Sequence, residues 1–271
     1  MSAYDQFNGI CLASLENRLL TITFNNPERL NSFGGPLQGE FERILEIAAE
    51  DEEVSAILVR GEGRAFSAGG DVKGFNEQAQ AGTGKVAGRI EDTMRGATKI
   101  LDTMLNVPQP MIAAVHGYAM GLGATVALFC DVVVIAEDAV IADSHVNIGL
   151  VAGDGGAVMF PLLMSLGAAK WYLLTGDRIS GTEAARIGMA VKAVPADELQ
   201  AEATRMALKL AAGAPLALRG TKSTMNRIVR DRMDLLLAHG LLLEGATFIS
   251  EDHKEAAAAF VEKRKPTFTG K

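Results

Sequence analysis

Residues 110–124, Pro110-Met111-Ile112-Ala113-Ala114-Val115-His116-Gly117-Tyr118-Ala119-Met120-Gly121-Leu122-Gly123-Ala124, decide the fold of this chain. The run from Met111 to Val115 is short and apolar, which predicts a buried strand. Glycines 117, 121 and 123 then allow a tight turn, and an apolar stretch up to Cys130 predicts a helix. Strand, glycine turn and helix therefore follow one another within a single segment. Residues 111–130 carry no Asp, Glu, Lys or Arg and are long enough to span a bilayer. The glycines and His116 in the interior, with the β-rich start, predict a buried strand, turn and helix instead, and no membrane association is expected.

The same grammar extends in both directions. Residues 10–15 and 19–24 alternate in β-rich residues around Glu16-Asn17-Arg18, which predicts a hairpin. Leu37, Phe41, Ile44, Leu45 and Ala48 fall on one helical face, and a short buried strand follows at residues 56–59. Further strands are predicted at residues 132–136, 140–142 and 190–194. Recurring units of this size predict layered α/β architecture. Beyond Asp197 the texture is helical, with predicted helices over residues 197–212, 216–229, 233–248 and 252–263. The division expected is residues 1–196 as an α/β core and residues 197–271 as a helical region whose leucine runs pack on the core or on another subunit.

Composition narrows the function. The 271 residues are 48% hydrophobic and 22% charged, as expected of a globular protein. With 26 Lys+Arg against 33 Asp+Glu the formal charge is −7, so an anionic ligand must be held by a local basic cluster or by backbone amides. General nucleic-acid binding is disfavoured. Cys11 and Cys130 each sit in an apolar stretch and form no metal-binding or disulfide pattern. The first nine residues lack the features of a secretory or transit signal, and a cytoplasmic enzyme is expected.

Two glycine-rich segments could carry chemistry. Gly61-Glu62-Gly63-Arg64-Ala65-Phe66-Ser67-Ala68-Gly69-Gly70-Asp71-Val72 follows a predicted strand and can turn backbone N–H groups outward. It lacks the lysine ending of a P-loop and the third glycine of a dinucleotide fingerprint, so ATPase and Rossmann readings are dropped. Ser67 lies outside a GxSxG frame and has no indicated triad partners, which makes a serine nucleophile weak. Asp71 reads as a helix cap or loop brace and His116 as a packed or surface residue. In the second segment, the first amides of the helix after Gly121 lie at the positive end of its dipole, suited to developing negative charge.

Together with Asn26-Pro27-Glu28-Arg29-Leu30-Asn31-Ser32 and the ending Phe260-Val261-Glu262-Lys263-Arg264-Lys265-Pro266-Thr267-Phe268, these segments closely resemble the crotonase superfamily of enoyl-CoA hydratases and isomerases. The resemblance implies a spiral of ββα units with a helical C-terminal trimerisation region, assembled as a homotrimer or a dimer of trimers. It implies an acyl-CoA thioester as substrate, no separate cofactor and no metal. It places an oxyanion hole at the backbone N–H groups of Ala68 and Leu122. Contacts to substrate are implied for Arg29, Ala65, Ser67, Gly69, Asp71, Gly121 and Lys263, with Arg29 and the cluster Lys263, Arg264 and Lys265 as partners for the coenzyme A phosphates.

The reaction type turns on the acid and base. Hydratases of this superfamily usually carry two glutamates, whose positions here hold Thr125 and His145. Asp154, in Gly153-Asp154-Gly155-Gly156, is the expected proton carrier, with helix capping as its structural alternative. His145 and Asp143 are second candidates. A single carboxylate suffices for a proton shuttle, which favours isomerisation over hydration. An aspartate nucleophile and a non-catalytic ester-binding scaffold are the alternatives.

Overall fold

The structure, a computed structural model, describes residues 2–70 and 86–271. Strands β1 (Cys11–Glu16) and β2 (Leu19–Phe24) form the expected hairpin, with Asn17 and Arg18 at positive φ in its turn. Helix α1 (Pro36–Glu50) starts at a proline that needs no N–H there, and buries the predicted face of Leu37, Phe41, Ile44, Leu45 and Ala48. Strand β3 (Ala56–Gly61) pairs in parallel with β2. After α2 (Val86–Asn106) comes the segment that set the fold, as β4 (Met111–Val115), β5 (Tyr118–Met120) and α3 (Leu122–Phe129). Every residue of β4 is buried, as a strand covered on both faces requires.

Strands β6 (Val132–Ala136) and β9 (Lys192–Val194) complete a six-stranded sheet of order β1-β2-β3-β4-β6-β9, parallel except at the hairpin. A second sheet, of order β5-β7-β8, uses β7 (Val140–Ala142) and β8 (Ile179–Ser180). Helices α4 (Gly156–Leu163), α5 (Leu166–Thr175) and α6 (Gly181–Ile187) lie between β7 and β9 in sequence. Helix α7 (Leu199–Ala211) buries Leu199, Ala203 and Ala207 against β3, β4 and β6. The paired helices predicted for residues 216–229 and 233–248 are one continuous helix, α8 (Pro215–Thr247). Residues 230–232, Arg-Asp-Arg, are good enough helix formers to carry it through, and no Pro or Gly interrupts there. Helix α9 (Glu251–Glu262) starts at Ser250, whose hydroxyl accepts from His253 N–H. Among the described residues no single helix is long and apolar enough to cross a membrane.

The base of the first glycine loop is held by aromatic packing and one buried amide. Phe24 meets Phe33, Phe41 and Phe66 edge-on at centroid distances of 5.1, 5.2 and 5.3 Å. Asn31 is fully buried, and its amide donates to the carbonyls of Glu62 (2.9 Å) and Ala65 (2.8 Å) while accepting from Asn26 N–H (2.8 Å). Removing those bonds leaves buried backbone groups unpaired. Asn31→Ala is therefore expected to cost roughly 2–4 kcal/mol in urea unfolding, the penalty of stranding such groups. A loss below about 1 kcal/mol would show that water replaces the brace.

Candidate active site

The two glycine loops are laced together by backbone bonds. Ser67 N–H donates to Tyr118 O and Met120 N–H donates to Ser67 O, each at 3.0 Å. Phe66 N–H donates to His116 O at 3.0 Å, extending the seam, and His116 Nε2 lies 3.0 Å from Gly63 O. Gly69 has φ +83° and presses on the second loop so closely that a Cβ there would stand 2.3 Å from Met120 O and 3.4 Å from Leu122 N. The amides of Gly69-Gly70 and Leu122 thus belong to adjoining strips of backbone.

Following the first loop amide by amide shows which N–H groups are free. Ala68 N–H donates to Leu30 O at 2.9 Å, so the expectation that it grips a ligand oxygen is corrected: it is already committed to holding the loop. Gly69 N–H donates to Ser67 Oγ at 3.1 Å. After Phe66, Ser67, Ala68 and Gly69, whose amides are all committed, Gly70 N–H has no acceptor among the described residues. On the second loop Gly121 N–H donates to Ala142 O at 2.9 Å. The next amide, Leu122, opens α3, where no carbonyl lies one turn back within the helix, and Gly121 supplies no side-chain cap. Among the described residues Leu122 N–H also has no acceptor.

The remaining sequence candidates distribute as follows. Ser67 is fully buried, its hydroxyl donating to Asn31 O at 2.7 Å, so it braces the loop and does not reach a ligand through its side chain. Ala65 is likewise buried, its carbonyl taken by Asn31. Arg29 is exposed on the turn that leads to Leu30. Lys263 is exposed at the left-handed cap of α9, and neighbouring Arg264 is paired with Glu255 and Glu262. That pairing removes Arg264 from the phosphate cluster expected there. Asp71 lies outside the described residues.

Behind the second loop sits a buried charged cluster. His145 begins a 3-10 turn (His145–Ile148) after β7, and its ring packs against Gly121, where a Cβ would stand 3.4 Å from His145 Cε1. Its Nδ1 is 2.6 Å from Asp143 Oδ1 and its Nε2 is 3.4 Å from Asp154 Oδ2. Thr125, one turn into α3, donates its hydroxyl to Asp154 Oδ1 at 3.2 Å. Thr125 and His145, the two positions that resemblance assigns to glutamates, thus converge on the carboxylate of Asp154. The capping alternative for Asp154 does not hold, because α4 is capped by Gly155 and receives no side-chain bond.

Burial alone would push the His145 imidazolium toward neutrality, but Asp154 and Asp143 outweigh it and hold its pKa well above the ordinary histidine value. A ring so held keeps its proton more firmly than a free imidazole and, when charged, donates from both nitrogens. Asp143, His145 and Asp154 also bring ligand-type atoms within 4.8 Å of one another, a spacing open to a metal ion. A 2.6 Å contact from Nδ1 to a carboxylate is instead the length of a charge-assisted hydrogen bond.

One member of the cluster is absent from the sequence expectations. Glu244, near the end of α8, is 4% exposed and faces His145, Asp154 and Asp143, and burial pushes its carboxyl up to about 8. The sequence does contain a signal for it: Met233, Leu237 and Leu241 are the buried stripe of α8, and Glu244 continues that stripe at helical spacing. An acid on an apolar stripe marks a buried ionisable group.

Comparison with known proteins agrees with this architecture. The enoyl-CoA hydratase/isomerase family model matches residues 14–271. A probable mitochondrial enoyl-CoA hydratase of Dictyostelium discoideum is 31% identical, the alignment covering 98% of this chain and 93% of that protein. The short-chain-enoyl-CoA hydratase of Clostridium acetobutylicum is 31% identical over 96% of this chain and 97% of its own length. A crystal structure of an enoyl-CoA hydratase/isomerase from Mycobacterium paratuberculosis superposes with a TM-score of 0.86 at 34% identity, covering 94% of this chain and 99% of that one. With its sequence matched almost end to end and its paired sheets and C-terminal helices matching a solved member, this chain belongs to the enoyl-CoA hydratase/isomerase family of the crotonase superfamily.

Proposed function

We propose that the protein transfers protons at the α carbon of an acyl-CoA thioester, adding water reversibly across an α,β double bond. The observation that carries this reading is the convergence of Thr125 and His145 on Asp154, one helical turn from the amide of Leu122, which has no acceptor among the described residues. The thioester carbonyl would lie between the N–H groups of Leu122 and Gly70, replacing the Ala68 donor expected from sequence. Taking a proton from the α carbon, or adding a nucleophile at the β carbon, moves charge onto that oxygen. Two preorganised donors stabilise the resulting enolate and lower the barrier. Arg29 and Lys263 are the proposed partners of the coenzyme A phosphates.

Hydration needs one group to take a proton from water and another to give one to carbon. His145 and Asp154 form such a pair. Asp154, held by Thr125, would be the base, and the His145 imidazolium would be the acid, oriented by Asp143. Isomerisation is favoured over hydration only where a single carboxylate stands alone, and the pairing of His145 with Asp154 removes that premise. Isomerisation remains the second reading, since Asp154 alone could move a proton between two carbons.

The two readings separate when 2-enoyl and 3-enoyl CoA esters are incubated in heavy water and products and α-deuterium are followed. Hydration is expected to yield the 3-hydroxyacyl ester carrying deuterium at the α carbon. Conversion of the 3-enoyl ester to the 2-enoyl ester without water addition would establish the isomerase instead. Asp154→Asn is expected to lower kcat by about 10²–10⁴-fold, the usual share of a general acid or base. Full activity in that variant would remove Asp154 from the reaction.

The amide of Leu122 can be deleted without a helix-breaking change, because proline is well tolerated as the first residue of a helix. Leu122→Pro should fold and lose about 10²–10³-fold in kcat, the effect of one oxyanion donor. A variant that folds and turns over at the original rate would place the carbonyl elsewhere.

Association completes the proposal. Leu216, Leu235 and Leu242 of α8 are 85%, 64% and 60% exposed, and Phe260 and Val261 of α9 add to this apolar surface. We assign it to contact between copies in a homotrimer or a dimer of trimers. Light scattering should give a mass that is a multiple of three chains, and Leu235→Glu should lower it. A monomer at micromolar concentration would overturn this assignment.

A further inference from the structure

We propose that Glu244 is a positioning residue: a carboxylic acid kept uncharged in the resting site, so that Asp143 and Asp154 alone hold the proton of His145. The role assigned to Glu244 rests on the proton-transfer reading above. Its protonation state is a separate matter and can be tested separately.

The geometry begins with backbone. Helix α8 approaches the loop after residue 149 so closely that a Cβ on Gly153 would stand 2.5 Å from Gly240 O and 2.7 Å from Glu244 Oε2. Glycine at 153 lets the carboxyl of Glu244 lie directly under the peptide that precedes Asp154. There Oε2 is buried and has no hydrogen-bond partner among the described residues; Asp143 Oδ2 has none either, but the other oxygen of Asp143 lies 2.6 Å from His145 Nδ1. An ionised carboxylate with an unpaired buried oxygen is costly, whereas a neutral carboxyl in the same place costs far less.

The charge count points the same way. Among the described residues the charged groups facing Glu244 are His145, Asp154 and Asp143. Helix α4 carries no titratable side chain, and His253 of α9 is turned to Ile148 O at 2.7 Å. One imidazolium already answers two carboxylates. A third would leave the pocket with three negative charges against one. Burial is the largest influence keeping the Glu244 proton on, with Asp154 and Asp143 adding to it, while His145 and the nearby Gly153 N–H, whose own hydrogen bond goes to Val151 O, oppose it. Ionising Glu244 would tighten the hold of His145 on its proton and hinder the transfer that catalysis needs.

The sign of the pH dependence follows. The native Glu244 carboxyl titrates at about 8, against 4.5 for the unperturbed group. Between those values the native state binds a proton that the unfolded chain has released, so stability falls as pH rises across that window. Glu244→Gln removes this contribution. The melting temperature of the variant minus that of the unmodified protein should therefore increase from pH 5 to pH 8.

Three measurements test the proposal on the full-length protein. Infrared difference spectra at pH 6 should show a protonated carboxyl band that is lost in Glu244→Gln and that fades in the unmodified protein as pH passes about 8. The pH-rate profile for α-deuterium exchange should descend through that region, and the descent should vanish or move upward in Glu244→Gln. Absence of the infrared band at pH 6, or identical rate profiles for the two proteins, would overturn the proposal. If no acyl-CoA ester exchanges its α proton, the proposed function and the positioning role fail together. The infrared and melting measurements would still decide whether Glu244 is uncharged.

Discussion

Two loops sewn together by the backbone of Ser67 set the geometry on which the site depends. The bonds from Ser67 N–H to Tyr118 O and from Met120 N–H to Ser67 O bind a loop from the large sheet to a strand of the small one. Their effect is to use up donors in order. Phe66, Ser67, Ala68 and Gly69 each commit an amide to holding the loop, and the next, Gly70, has no acceptor among the described residues. On the facing loop the start of a helix leaves Leu122 over for the different reason that a first turn has no preceding carbonyl. An amide that is free because its neighbours are not is held rigidly, and rigidity is what makes a hydrogen-bond donor useful against a charge that exists only briefly.

The second constraint is electrostatic. A cation buried behind α3 is stable only because two carboxylates hold it, and two carboxylates are tolerable there only because the cation answers one of them. Glu244 enters that balance from the far end of the chain. The C-terminal helices therefore place a titratable group against the charged cluster of the core as well as forming part of the surface. A substitution in α8 could alter proton transfer without touching either glycine loop.

Much of the fold was legible because it is written in periodicity. The hairpin turn at residues 16–18, the buried face of α1, strand β4 and helix α3 follow from which side chains must leave water, whereas β5, read from its glycines as a turn, pairs with β7 in the small sheet. The break expected near residue 231, and absent from the helix, shows the limit of that reading. The charged run Arg-Asp-Arg interrupts an apolar pattern but does not interrupt a helix, because backbone continuity depends on propensity and capping. The site was legible where side chains carry it: Asp154 and His145 stood out as titratable groups beside glycine loops. It was illegible where backbone carries it. No residue type announces that Ala68 N–H is taken by Leu30 O, since every residue but proline offers the same amide.

The departure from two glutamates is best understood as a relocation of charge. Thr125 cannot ionise, yet its hydroxyl fixes the orientation of a carboxylate that arrives from the loop after residue 149. His145 reverses the sign at its position, and Asp143, immediately below, stabilises the reversal. A site with one carboxylate on each side of a cation differs from a pair of carboxylates in what it can give away. Two like charges share a proton reluctantly, so one of them must hold it for the other to act. A carboxylate beside an imidazolium keeps base and acid on different atoms at the same pH, which is what the proposed addition of water requires.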